Sequence, residues 1–410
     1  MKRDIPRRNF LQGVGAGAAG LLASAPGIST PGYPANETIQ IACVGTGGRA
    51  QHRLMPALKE IPGVRIAAVC DVWDQFLAKG KNLAAADALA TKDYREVLDR
   101  KDIHAVVIAT PDHWHVPLTV EACAAGKDVY VEKPLTHKAS EAALVIEAQN
   151  RHKRVIQVGM QQRSYPHMLE AYELVKSGAI GEIHKAHITW NRNSRHLGKR
   201  KTSGIAPQSV DWKMFLGGAK DQPFDEYRFR NWRWFWDFGG GILTDLMVHH
   251  IDIVNWFCDL DHPASAATIG DRFRVKDTWE TPDTVQTLLH YPDKKLQVYF
   301  EGTFVNARNG SMIEFMGTDG TLYLDRGGYA VYPEPGAPTN RQEKLVGERR
   351  GQDFYGRVPG AFYHLMDWLQ AVRARTKPRA PAEAGVQAAS PAHLGNQAYH
   401  SGSVARWNTP

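Results

Sequence analysis

The segment Ile39-Gln40-Ile41-Ala42-Cys43-Val44 runs directly into Gly45-Thr46-Gly47-Gly48-Arg49-Ala50, and this junction restricts the fold more than any other stretch of the chain. A short β-type run, a G-x-G-x-x-A turn and a helical stretch through Leu54 and Leu58 together describe the first βα unit of a dinucleotide-binding fold. Gly45 permits the tight turn, Gly47 lets the backbone approach a pyrophosphate, and Ala50 is small enough for close helix-strand packing. Thr46, Gly48 and Arg49 complete a turn placed at a helix N-terminus, where backbone N–H groups favour phosphate. Pro56 is expected to kink or delay that helix. A second strand, 65–70, ends at Asp71, whose carboxylate can accept hydrogen bonds from an adenosine ribose. The same carboxylate repels a 2′-phosphate, and Val72-Trp73-Asp74 supplies no adjacent arginine, so NAD is expected over NADP; Arg49 remains a basic residue within reach.

The βα alternation continues. A strand at 103–109 ends in Thr110-Pro111-Asp112-His113-Trp114-His115, and a helix stopped by Gly126 follows. The strand 128–131 ends in Glu132-Lys133-Pro134, and after a helix at 140–152 the strand 154–158 ends in Gly159-Met160-Gln161-Gln162-Arg163. In an open parallel sheet the ligand crevice lies beyond the carboxyl ends of the strands, so these tails are where chemistry is expected. Thr110, Pro111, His115, Glu132, Lys133 and Gln161 are therefore cofactor-binding candidates, and Arg163 is a substrate candidate that suits an interdomain ion pair equally well.

About a hundred residues further on, Gly239-Gly240-Gly241 precedes a helical pattern in which Leu243, Leu246, Ile253 and Trp256 are apolar. Asp245, His249 and Asp252 fall at i, i+4 and i+7 on another face. An imidazole takes a proton from an alcohol near neutral pH, and a carboxylate orients it or holds a neighbouring hydroxyl. Taken singly, each signal has a plainer meaning: Lys133 paired at the surface with Glu132, or a buried His249 satisfied by a helix neighbour. Asp, His and Asp are also plausible metal ligands, but no further His/Cys motif points to the same place, and no metal is expected.

Together these stretches resemble the Gfo/Idh/MocA oxidoreductases, the group of glucose-fructose oxidoreductase and inositol dehydrogenase. The resemblance rests on Gly45 to Ala50, Ala109-Thr110-Pro111, Glu132-Lys133-Pro134-Leu135, the D-x-x-x-H of Asp245 and His249, and Gly317-Thr318-Asp319-Gly320-Thr321. It implies an α/β protein: an N-terminal Rossmann domain joined to a C-terminal α/β domain with an open, mainly antiparallel sheet. It also implies hydride transfer between nicotinamide and a sugar, polyol or sugar derivative. His249 would be the acid/base, Lys133 would bond the reacting hydroxyl, and Asp245 would position His249 or a substrate hydroxyl. The expected domains are 36–162 and 163–410, preceded by a signal and linker over 1–35.

Asn231-Trp232-Arg233-Trp234-Phe235-Trp236-Asp237-Phe238, taken as a strand, would point some of its tryptophans at substrate and others at the core; Trp236 is the one chosen for the site. Strands are expected at 284–290, 296–302, 312–316 and 321–324, a long loop at 327–360, and a closing amphipathic helix at 364–375. A sheet of this kind fits a homodimer or homotetramer contact as well as a pocket wall.

The chain of 410 residues carries 50 Lys and Arg against 43 Asp and Glu, which invites a nucleic-acid reading. Removing residues 1–25 leaves 46 basic and 42 acidic residues, a net of +4, and no basic recognition helix or aromatic-basic platform appears. That N-terminal stretch, Arg7-Arg8 followed by a Gly/Ala/Leu run and Ala23-Ser24-Ala25, resembles a twin-arginine export signal, departing from it at Pro6 and Gln12. The apolar run is too short for a stable membrane span. Export to the periplasm implies a cofactor loaded in the cytoplasm and recycled inside the site, either by a second carbonyl oxidant or by a redox-neutral glycosidase, lyase or epimerase sequence. A noncatalytic sugar-binding protein is the alternative of a different class, disfavoured by the intact Lys133, Asp245 and His249.

Overall fold

The computed structural model describes residues 37–194, 204–346 and 360–407. The expected export signal lies outside the described residues. Six strands form a parallel sheet in the order β3-β2-β1-β4-β5-β6: β1 Ile39–Val44, β2 Val64–Cys70, β3 Leu89–Thr91, β4 Ala105–Ile108, β5 Asp128–Val131 and β6 Ile156–Val158. The strand order reverses between β1 and β4, so the two loops that leave them diverge and open a crevice. Both sheet faces are covered, which explains why β1, β4 and β5 read as nearly continuous apolar runs.

The turn after β1 needs glycine at position 45 for two reasons. Its φ is +83°, and a Cβ there would lie 2.7 Å from the Ala109 backbone where β4 ends. The helix that follows bulges before Pro56. Residues Ala50–Leu54 form a π-helical turn in which the Met55 N–H bonds to the Ala50 carbonyl, and ordinary helix begins only at Met55–Lys59. Proline offers no N–H to the turn before it and its ring crowds that turn, so a widened turn lets the chain pass.

The second sheet has nine strands in the order β14-β13-β12-β11-β7-β10-β9-β8-β15. These are β7 Ile183–Asn191, β8 Ser265–Asp271, β9 Thr284–Tyr291, β10 Leu296–Thr303, β11 Ser311–Gly317, β12 Gly320–Asp325, β13 Gly328–Pro333, β14 Gln342–Leu345 and β15 Ala405–Arg406. Every neighbouring pair is antiparallel except β7 with β10. The helix Val248–Cys258 packs across this sheet, burying Ile251, Val254 and Phe257 against Ile188, Phe300 and Phe315.

Three expectations need correction. The stretch 231–238 is not a strand: Trp232–Trp234 is a single 3-10 turn, so strand alternation does not apply to its tryptophans. The loop expected at 327–360 contains β13 and β14; Pro333, Pro335 and Pro338 crowd the connection and mask the alternation, and 347–359 lie outside the described residues. The helix at the C-terminal end, Gly360–Ala374, does not close the fold, because a longer helix, Ala382–Ser401, follows it. Gly360–Ala374 packs Leu365, Trp368 and Val372 on the outer face of the parallel sheet. Ala382–Ser401 runs between the two domains, contributing Ala382 and Ala388 to one core and Ala392, Leu394 and Ala398 to the other.

Candidate active site

The crevice at the ends of β1 and β4 is a cleft of about 770 Å³, lined by Gly45, Gly47, Gly48, Arg49, Asp71, Thr110 and Pro111 among others. A second pocket of about 290 Å³ adjoins it and shares Arg49, Thr110, Arg192, Trp232, Arg233 and Asp245. His115, Glu132, Lys133, Gln161 and His249 line this second pocket. Cleft and pocket thus unite nearly every residue singled out from the strand ends.

The glycine turn is tied to the end of β2. Asp71 accepts hydrogen bonds from the Thr46 N–H at 2.7 Å and the Trp73 N–H at 2.9 Å. Thr46 is buried and turns its hydroxyl to the Phe76 carbonyl, so its part is to hold the turn; Ala50 is fully buried beneath it. Burial pushes the Asp71 carboxyl up to about 6, against the hydrogen bonds from Trp73 and Thr46 and the nearby Arg230. Arg230 lies over the rings of Trp73 and Phe76 and lines the same cleft. A guanidinium does reach this end of the cleft, from a segment remote in sequence that adjacency to Asp71 could not reveal.

The turn, its glycines and the Asp71 carboxylate fit a dinucleotide, and a further observation supports the fit. The Thr110 hydroxyl lines the cleft, is buried, and has no hydrogen-bond partner among the described residues. His115 Nδ1 lies 2.6 Å from the Pro134 carbonyl and Nε2 3.1 Å from the Thr110 carbonyl; the neutral ring has one N–H, which donates to one of the two, and the ring sits between the loops after β4 and β5. Glu132 accepts from Arg49 Nε at 2.7 Å and Gln161 Nε2 at 3.1 Å, joining the glycine turn to the loop after β6.

Lys133 leaves β5 through a cis Lys133–Pro134 bond and is 11% exposed at its side chain. Its ammonium donates to the Asp245 carbonyl and to Asp245 Oδ1, each at 2.8 Å. Arg233 Nε donates to the same Oδ1 at 3.2 Å. Burial opposes ionisation of Asp245, but Lys133 and Arg233 outweigh it and hold the carboxyl well below its usual range. His249 stacks on Trp190 with centroids 5.2 Å apart, and its buried Nδ1 has no hydrogen-bond partner among the described residues. Burial, then Lys133 and Arg326, hold the imidazole well below its ordinary value, so it is neutral around pH 7.

Asp245 sits in a π-helical turn, Leu243–Met247, that precedes the helix Val248–Cys258. Simple helical spacing therefore does not hold, and Asp252 does not join Asp245 and His249 in the pocket. Asp252, 1% exposed, takes both Nε and Nη2 of Arg163 at 2.8–2.9 Å. Arg163, expected at substrate, is thereby committed to a buried ion pair with the helix Val248–Cys258 and does not line either cavity. Trp236, also expected at substrate, packs on His400 at 4.4 Å instead, because the 3-10 turn aims Trp232 and Trp234 at the cleft in its place. Trp190, Arg192, Arg233 and Arg326 were not anticipated. Arg233 stands between two tryptophans that drew attention as aromatics, and the others sit on a strand and a turn with no motif of their own. Asp112 was noted only as part of its strand tail; burial pushes it up to about 8. Among the described residues no cluster of His, Cys, Asp and Glu could hold a metal, and no helix is long and apolar enough to cross a membrane.

Two profiles match the chain: an oxidoreductase family with an NAD-binding Rossmann fold over residues 39–160, and a GFO/IDH/MocA C-terminal domain over 216–323. An inositol 2-dehydrogenase of Gluconacetobacter diazotrophicus is 25% identical over 57% of this chain and 58% of its own length. A second, from Saccharopolyspora erythraea, is 26% identical over 82% of this chain and 85% of its own. A glycosyl hydrolase family 109 protein of Solibacter usitatus is 30% identical over 48% of this chain and 47% of its own. Among solved structures, a levoglucosan dehydrogenase in complex with NADH and levoglucosan superposes with a TM-score of 0.70 at 17% identity, over 91% of this chain and all of that one. The aldose-aldose oxidoreductase of Caulobacter crescentus does so at 0.68 and 18% identity, over 90% of this chain and all of that one. These structures share the fold. With both profiles in order along the chain, covering more than half of it, the protein belongs to the Gfo/Idh/MocA oxidoreductase family.

Proposed function

We propose that the chain is an exported NAD-dependent oxidoreductase that moves hydride between nicotinamide and a hydroxyl-bearing carbon of a sugar, polyol or glycoside. The observation that carries this reading is the convergence of Lys133, Asp245 and His249 in a pocket continuous with the glycine-turn cleft. Gly45 to Arg49 would hold the pyrophosphate and Asp71 the adenosine ribose, and a bound nicotinamide would supply the hydride acceptor.

The protein's own part follows from the geometry. An ammonium has three donors, and Lys133 commits two to Asp245, leaving one for the substrate hydroxyl. That donor stabilises negative charge on the oxygen as the C–H bond breaks. His249, neutral and with Nδ1 unsatisfied, takes the hydroxyl proton. Asp245 fixes the ammonium in place and balances its charge.

Export, suggested by Arg7-Arg8 and the apolar run after them, bears on turnover. Outside the cytoplasm the cofactor has no exchange pool, so it is held through the catalytic cycle and restored within the site. Protein isolated from the periplasm is expected to carry stoichiometric NAD(H) through gel filtration and to change its reduced-nicotinamide absorbance when sugars are added. Protein that elutes empty and works only with added NAD removes internal recycling; protein inert toward sugars with NAD supplied removes the oxidoreductase reading and favours a noncatalytic binding protein. A redox-neutral glycosidase is the second reading, favoured by the family 109 relative. It would release an aglycone with no net absorbance change. The exposed Ile269, Phe273 and Leu288 on and beside the outer strands of the nine-stranded sheet support a homo-oligomer, which native mass measurement decides.

A further inference from the structure

After Pro111 the loop that leaves β4 carries Asp112, His113, Trp114 and His115, and the last three commit their side chains to the protein. His113 Nε2 lies 2.9 Å from the Phe215 carbonyl, the Trp114 indole donates to that carbonyl at 2.9 Å, and His115 sits between the Thr110 and Pro134 carbonyls. Asp112 does not follow them. It opens the 3-10 turn Asp112–Trp114, where a carboxylate readily bonds a nearby backbone N–H. Among the described residues, however, its oxygens have neither a hydrogen bond nor an ion pair. The residue is 4% exposed and lines the pocket that holds Lys133, Asp245 and His249.

Its surroundings offer no other partner. Oδ2 faces Gly239, where a Cβ would lie 3.4 Å away, so the carboxyl stands at the seam between the β4 loop and the glycine run that precedes the Leu243–Met247 turn. The cations whose charge reaches it, Lys133 and Arg233, direct their hydrogen bonds to Asp245 instead. Burial, aided by Asp245 and Glu141, outweighs both cations and pushes the carboxyl up to about 8, so near pH 7 it is largely protonated. A protonated carboxyl donates one hydrogen bond and accepts others, which matches a hydroxyl. A buried polar group left without a partner in the free protein is satisfied when a ligand supplies one. The third donor of Lys133 and the His249 imidazole attend the hydroxyl that loses its proton, so Asp112 falls to a different oxygen of the same ligand.

We propose that Asp112 is a specificity-determining residue whose carboxyl bonds a second hydroxyl of the substrate, one that is not oxidised, so that the pocket selects a polyhydroxylated ligand through a contact separate from Lys133 and His249. The proposal rests on the sugar-oxidoreductase reading of the same pocket and adds the residue that reads the rest of the ring.

The test uses the full-length protein loaded with NADH and measures binding calorimetrically for D-glucose, D-galactose and myo-inositol, each against its monodeoxy analogues, in wild type, Asp112→Ala and Asp112→Asn. For at least one parent, the wild-type protein should bind the parent about 10-fold or more tightly than the analogue lacking the hydroxyl that Asp112 holds. Asp112→Ala should close that gap and leave the gaps at other positions in place, whereas Asp112→Asn, which still donates and accepts, should keep it within about threefold. Gaps that survive Asp112→Ala, gaps that all shrink together, or no binding of any parent overturn the proposal. Stability in urea supplies a second readout: because the carboxyl bonds nothing in the free protein, Asp112→Ala should be at least as stable as wild type, and a variant that loses stability or fails to fold shows that the carboxyl holds the loop instead, which also overturns it. Nicotinamide absorbance with the same sugars reads the enzymatic proposal separately. Oxidation without a gap that depends on Asp112 sinks the contact alone; a position-specific gap with no oxidation of any sugar upholds the contact and sinks the enzymatic reading.

Discussion

Replacing Lys133 with methionine keeps the apolar stem and removes the ammonium. In the structure that ammonium spends two donors on Asp245, at 2.8 Å each, and keeps the third for a ligand. Loss of one preorganised donor to a developing oxyanion costs about 2.7–4 kcal/mol of transition-state stabilisation, a factor of about 10²–10³ in kcat. The folded state also loses an ion pair, but Asp245 retains Arg233 Nε at 3.2 Å, so the cost to stability stays at about 1–3 kcal/mol. The glycine turn and Asp71 do not touch Lys133, and NADH affinity should stay within a few-fold. Three measurements separate these effects: kcat from nicotinamide absorbance with a sugar that the wild-type protein oxidises, NADH affinity from its fluorescence, and stability from urea denaturation. A Lys133→Met protein that turns over within about threefold of wild type refutes the role given to the third donor. So does a loss of turnover matched by a loss of cofactor binding.

His249→Ala should lower kcat by about 10²-fold with NADH still bound, because the pocket then lacks its proton acceptor; turnover near the wild-type rate shows that another group accepts the proton. Asp71→Ser should weaken NAD binding by about 10-fold while weakening NADP binding less, because the carboxylate is lost and Arg230 stays in the cleft; unchanged affinity for both removes Asp71 from the ribose site. Arg163→Met leaves Asp252 buried without its bidentate partner and should cost about 3–5 kcal/mol in urea denaturation, with Arg163→Met/Asp252→Leu recovering most of it. Unaltered stability in the single variant would show that the pair is incidental. The protein should also lose stability as pH falls from about 6.5 toward 4. Burial lowers His113, His115 and His393 to about 4 and His250 and His364 to about 3, so below 6.5 the unfolded chain binds more protons than the folded one. Asp71 and Asp112, raised to about 6 and 8, and Asp252 and Asp367, also raised by burial, act in the opposite sense, their contribution being present at low pH and lost as pH rises through their folded values. The histidines lowered by burial, His137, His167 and His249 among them, outnumber these carboxylates eight to four. A melting temperature flat over that range contradicts the assignment.

The parallel sheet was legible because its information is local: β1, the glycine turn and Asp71 lie within 33 residues and each position has a steric reason. Lys133 and His249 were legible as strand-end and helix-face residues, although the π-helical turn at Leu243–Met247 moved Asp252 out of the set that a regular helix would have grouped. The helix Ala382–Ser401 was not legible. Its alanines and glycines give little amphipathic contrast, and Pro391 argues against a helix, yet small residues are required there. A Cβ on Gly385 would lie 2.6 Å from Val158, and one on Gly395 2.8 Å from Leu243. Trp190, Arg192 and Arg326 were hidden for a different reason: strands distant in sequence bring them together, and no spacing records it.

That same helix, Ala382–Ser401, has a consequence for how the molecule comes apart. Besides its buried alanines, it is tied to one domain by the Gln149 to Glu383 hydrogen bond and the contact of Thr136 with His393, and to the other by Asn255 to the Gln387 carbonyl and Asn396 to the Gly240 carbonyl. Neither sheet can lose its packing without stripping a helix from the other. Two structural domains should therefore melt as one cooperative unit, with a single calorimetric transition whose van't Hoff and calorimetric enthalpies agree. A rivet through both halves also resists hinge opening, so ligands should enter a cleft already shaped for them.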